Sequence, residues 1–99
     1  MAFLRRSSPQ TRAVLSALLT AGDKWRYGYD LMQETGLKSG TLYPLLMRLA
    51  DHGLLETEWR PPVAPARTPR HMFRLTGEGK STAHALLAVS SAAAQVARA

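Results

Sequence analysis

Val14, Leu15, Leu18 and Leu19 recur at helical spacing behind Ser8-Pro9, the signature of an N-cap followed by proline in the first helical position. Arg12 and Ser16 fall on the other face, and Ala21-Gly22-Asp23 ends the segment. Tyr27 through Thr35, with Leu31 and Met32 at its centre and Gly36 as a left-handed cap, predicts a short second helix. After only Leu37 and Lys38 comes Ser39-Gly40-Thr41, and the stripe Leu42, Leu45, Leu46, Leu49 predicts a third helix that stops at His52-Gly53. Pro44 is expected in its first turn, where no backbone N–H is missed.

From Leu54 the period drops to two. Leu55, Thr57 and Trp59 alternate with Glu56, Glu58 and Arg60, and His71 to Leu75 alternate likewise, so two strands are expected. Between them Pro61 to Arg70 holds four prolines in ten residues, which reads as a long loop at the tip of a hairpin. Thr76-Gly77-Glu78-Gly79 then opens a last helix that carries Ala83, Leu86, Leu87, Ser90, Ala93, Ala94 and Ala97 on one small-residue face, suited to close approach of another helix. Two helices joined by a tight turn, followed by a hairpin, make a winged helix-turn-helix. The expected class is mainly α (α+β), with a two-stranded wing and a C-terminal dimerisation helix. Residues 1–75 are assigned to the DNA-binding domain and 76–99 to that helix.

The chain is 99 residues long, enough for one core and too short for two. Its 13 Lys and Arg against 7 Asp and Glu give a net charge of +6, the balance of a polyanion binder. With no cysteine, and with His52, His71 and His84 scattered, no metal site or cofactor is expected. Nucleophile–base pairs and carboxylate pairs are also missing, so catalysis is not expected. No signal peptide and no run near the ~20 apolar residues of a membrane span is visible, which points to the cytoplasm and to no membrane partner.

Four segments resemble the PadR family of transcriptional regulators: Tyr27-Gly28-Tyr29-Asp30-Leu31, Ser39-Gly40-Thr41-Leu42-Tyr43-Pro44-Leu45-Leu46, Arg48-Leu49 through Gly53-Leu54-Leu55, and Arg74-Leu75-Thr76 with Gly77-Glu78-Gly79. The Gly-Thr-Leu-Tyr-Pro run is the most specific piece. The resemblance implies a repressor that binds double-stranded operator DNA as a homodimer through its C-terminal helix, in many members with release by a small-molecule effector. The turn before the third helix is shorter than in many relatives. The wing also carries Pro-Val-Ala-Pro-Ala where a glycine-rich tip is common, so wing reach and operator sequence do not carry over.

Lys38, Ser39 and Thr41 stand where a helix N-terminus attracts phosphate, though Ser39 and Thr41 equally suit plain capping. Tyr43 and Pro44 are expected on the exposed side, opposite the Leu42, Leu46, Leu49 stripe, with Tyr43 reaching sugar or phosphate. Arg48 is either a phosphate clamp or a solvated cation. Arg67 and Arg70 are candidates for minor-groove or backbone contact from the wing. Of Tyr27 and Tyr29, one should face DNA and the other pack inward. Trp25 and Trp59 are candidate walls of an effector pocket, while Trp59, on the strand that covers the helices, is expected in the core. A winged helix can instead serve protein contact or RNA binding; that use would show an apolar patch where DNA binding needs Lys38, Arg48, Arg67 and Arg70 on one face.

Overall fold

The structure is a computed structural model and describes residues 8–65 and 67–98, with the side chains of 89–98 outside that description. Helix α1 spans Pro9–Ala21, and the Ser8 hydroxyl accepts the Thr11 N–H at 3.2 Å, as the Ser-Pro signature predicts. Its inward face, Val14, Leu15 and Leu18, is at most 1% exposed. Strand β1, Arg26–Tyr27, leads directly into α2, Gly28–Thr35, and the Gly36 N–H closes α2 on the Met32 carbonyl at 2.9 Å. Leu37 and Lys38 then separate α2 from α3, Ser39–Asp51, completing the helix-turn-helix.

The end of α3 is a Schellman motif. Gly53 has φ +74°, its N–H donates to Ala50 at 2.9 Å, and the Leu54 N–H reaches back to Leu49 at 3.0 Å. A side chain at Gly53 would pay for the left-handed backbone, and Leu54 is thereby swung fully into the core.

Strands β2, Leu55–Arg60, and β3, Arg70–Leu75, form the hairpin, and β1 adds to the far side of β3, giving the antiparallel order β1-β3-β2. The third strand escapes sequence reading because two residues show no period. Register places Leu55 opposite Leu75, Thr57 opposite Phe73 and Trp59 opposite His71 on one face. Glu56 and Arg74, Glu58 and Met72, and Arg60 and Arg70 occupy the other. The first face meets the helices: Phe73 is fully buried among Leu15, Leu18, Leu31, Leu42 and Leu46.

Helix α4, Gly77–Arg98, starts at Thr76, whose hydroxyl accepts the Gly79 N–H at 2.9 Å and donates to the Gly53 carbonyl at 2.8 Å. The Thr76 N–H donates to the Leu54 carbonyl at 3.0 Å, so one residue ties the ends of α3 and β3 to the start of α4. An ion pair between Lys80 and Asp23 joins α4 to the end of α1. Ala83 is fully buried in the chain's own core, and Leu86 packs against that core. The first turns of α4 therefore serve this chain's interior.

Candidate nucleic-acid interface

Lys38, with extended backbone at ψ 156°, is the N-cap of α3, and no side chain caps the helix. Ser39 and Thr41 were candidates for that role, but the helix starts one residue too early for Ser39 to fill it, and both are exposed. The Thr41 N–H turns to the Lys38 carbonyl at 3.0 Å, while the Ser39 and Gly40 N–H groups stand at the positive end of the helix, which favours an anion, next to Lys38.

The early start also relocates Pro44. It is the sixth residue of α3 rather than part of the first turn, so the Gly40 carbonyl loses its intrahelical donor. Both residues are exposed, which leaves that carbonyl on the accessible side of the helix. Met47 and Arg48 continue the exposed side, and the Arg48 carbonyl is hydrogen-bonded by the His52 ring at 2.8 Å.

Tyr43 is not on the exposed side. It is half-buried, lies edge-on to Phe73 with ring centroids 6.2 Å apart, and sits 6.3 Å from His71. On a helix it stands about 60° from Leu46, at the margin of the apolar stripe rather than opposite it. Its hydroxyl lies over Gly28, where a Cβ would be 3.1 Å from the ring carbon that bears the hydroxyl. Burial, with Tyr27 nearby, pushes the phenol above its ordinary range, so it stays protonated at neutral pH.

The wing divides its aromatics between two faces. Trp59 stacks on His71 at 4.0 Å and 18°, and His71 in turn lies 4.3 Å from Phe73. Trp59 is nevertheless 65% exposed, against the expectation of a core position. Its phase on β2 is inward, but the indole lies on His71, itself buried beside Tyr43 of α3, and outside the leucine core that holds Phe73. His71 itself is buried, which pushes its imidazole below the usual histidine range and keeps it neutral.

Trp25 belongs to the opposite face, under the guanidinium of Arg74 at 4.4 Å and near that of Arg60 at 5.7 Å. Within one protomer the two tryptophans therefore do not form two walls of one pocket. An open groove of about 300 Å³ lies elsewhere, between α1 and α2, lined by Ala13, Ser16, Ala17, Thr20, Glu34 and Thr35.

Arg70 also turns to the Trp25 face, with its guanidinium 5.0 Å over the Tyr27 ring. Tyr27 is thus half-buried and Tyr29 is the more exposed of the pair, at 55%. Arg67 remains exposed in the loop. Leu87 is half-buried on α4, and Ser90, Ala93, Ala94 and Ala97 lie where side chains are outside the described residues. Among the described residues no helix is long and apolar enough to cross a membrane.

Three helices, a two-stranded wing and a short strand closing the sheet define a winged-helix DNA-binding protein. Residues 14–85 match the Transcriptional regulator PadR-like family, and the chain belongs to that family. Among solved structures it is similar to a PadR-like transcription factor from Bacteroides fragilis, with 28% identity and a TM-score of 0.71 over 89% of this chain and 85% of that one. It is similar to a Streptococcus transcriptional regulator at 28% identity and TM-score 0.70, covering 89% and 87%. The PcaV transcriptional regulator from Streptomyces coelicolor, solved with its natural ligand, matches at 27% identity and TM-score 0.74 over 91% of this chain. The chain spans only 60% of PcaV's own length. No curated protein matches it in sequence.

Proposed function

We propose that this transcriptional regulator is a homodimeric repressor that docks α3 of each protomer into successive major grooves of a palindromic operator, about 34 Å apart, in the cytoplasm. The observation that carries this reading is the uncapped, lysine-flanked start of α3, with Ser39, Thr41, Pro44 and Arg48 exposed along the same helix. Lys38 and the N–H groups of Ser39 and Gly40 meet phosphate, the Thr41 and Ser39 hydroxyls meet phosphate or base edges, and Arg67 reaches the backbone or minor groove from the wing. Tyr43, Tyr27 and Arg70 act from behind: Tyr43 fixes the height of α3 over Gly28, and Arg70 braces the sheet on Tyr27.

The outer part of α4, from Leu87 through Ser90, Ala93, Ala94 and Ala97, supplies the dimer contact, since the inner part is spent on the protomer's core. An effector that alters how the two α4 helices cross would change half-site spacing and release the operator. PcaV's structure with its natural ligand supports looking for a small molecule in that role.

Titration into labelled duplex from just upstream of the protein's own coding region, at two salt concentrations, tests the reading. Tight binding that falls steeply with salt, with the slope reduced by about 0.9 in Arg67→Ala, is expected. Affinity equal to that for random duplex contradicts operator recognition.

A further inference from the structure

Trp59 is the largest exposed apolar side chain of the hairpin, yet it is held flat against His71 rather than left loose. It projects from the face of the sheet that packs on the helices, outside the leucine core that holds Phe73. That face belongs to α3 as well: His71 stacks on Trp59 on one hand and lies 6.3 Å from the ring of Tyr43 on the other. The indole thus sits on the α3 side of the wing, near the end of the strand that leads into the loop carrying Arg67. Trp25, the other tryptophan, is on the opposite side of the sheet under Arg74.

An indole offers a flat apolar surface and one donor, Nε1–H, with no acceptor. On a strand that runs into the Arg67 loop and beside the helix taken to read DNA, the partner that uses both features is the sugar-phosphate strand bordering the groove that α3 enters. Deoxyribose packs on the ring and a phosphate oxygen accepts the N–H. We propose that Trp59, buttressed by His71, is a sequence-independent contact to the DNA backbone at the root of the wing, an inference that rests on α3 being the DNA-reading helix.

Because the contact carries no charge, it adds affinity without releasing a counterion. Trp59→Ala should weaken operator and random duplex alike by more than roughly tenfold, since tenfold is about the worth of one hydrogen bond to a charged group and the packing of the ring on deoxyribose is lost with it. The salt slope should stay that of the parent, where Arg67→Ala lowers it. Trp59→Phe, which keeps a ring on His71 but loses the donor, should fall between the parent and Trp59→Ala.

In a Trp25→Phe protein Trp59 is the sole indole, and acrylamide quenching of its emission is read with and without saturating labelled upstream duplex, saturation being set by the anisotropy of the label. Shielding of Trp59 on saturation supports the contact. Unchanged quenching on fully bound duplex, or parent-like affinity in Trp59→Ala, overturns it while leaving the DNA reading intact. Absence of binding to any duplex by the parent protein overturns the DNA reading and this contact with it.

Discussion

Gly79→Ala places a methyl group where the start of α4 crosses the end of α3. An ideal Cβ there would be 2.9 Å from the Leu54 carbonyl carbon, overlapping its oxygen, and 3.2 Å from a Leu75 methyl. The obstacle cannot swing away, because it is backbone. Leu54 donates to Leu49 and accepts from Thr76, both at 3.0 Å, and its own side chain is fully buried. By helix propensity alone alanine would be favoured over glycine by about 1 kcal/mol. Overpacking costs about 1–3 kcal/mol, and a fixed backbone neighbour puts this site at the top of that range. The net loss is about 2 kcal/mol, or roughly 8–16 °C in Tm for a domain of this size. Thermal unfolding followed by circular dichroism, at one fixed protein concentration, reads the difference, with Gly77→Ala as the control. A Cβ at Gly77, two residues earlier on the same helix, meets nothing within 4 Å, so that variant should match or slightly exceed the parent. A Gly79→Ala protein as stable as the parent would refute the close crossing and the packing of α4 built on it.

Gly28→Ala should push Tyr43 and lift α3, lowering both stability and operator affinity; in a double-mutant cycle Tyr43→Phe should recover part of the loss, whereas strict additivity would deny the contact. His71 adds a pH dependence. Its imidazole is depressed by burial in the folded protein, so near and below the ordinary value of about 6.5 the unfolded chain binds more protons than the folded one. Stability should therefore be fully present well above that value and decline as pH falls through it, as urea unfolding would show. His71→Phe, which preserves the ring stack, should flatten the decline, and an identical slope in both proteins would assign it to other groups.

Much of the scaffold was legible because it rests on local chemistry. The Ser8 cap, the break at Gly53 and the Thr76 start each follow from residue types whose hydrogen bonds are made within a turn. What was not legible depends on contacts with other elements. Alternation gives the phase of Trp59 on its strand, but not that His71 takes the place beside Tyr43 and leaves the indole exposed. Likewise the leucine stripe of α3 marks a face without giving its width, and Tyr43 falls at its margin because Gly28 leaves room for the ring. For the site, Lys38, Thr41, Arg48 and Arg67 are exposed as a DNA-contact role requires, whereas Arg70 is drawn to Tyr27 by a cation–π contact between residues 43 positions apart in the chain. Nor did the small-residue ladder of α4 reveal that its first member, Ala83, is buried in the chain's own core.

Hydroxyl-radical footprinting of the protein on its own upstream duplex tests the central claim most directly. Two-fold docking of paired α3 helices predicts two equivalent protected patches whose centres lie one helical turn, about 10 base pairs, or a whole multiple of it apart. A single patch of half-site size, or uniform weak protection along the duplex, would contradict a dimeric operator binder.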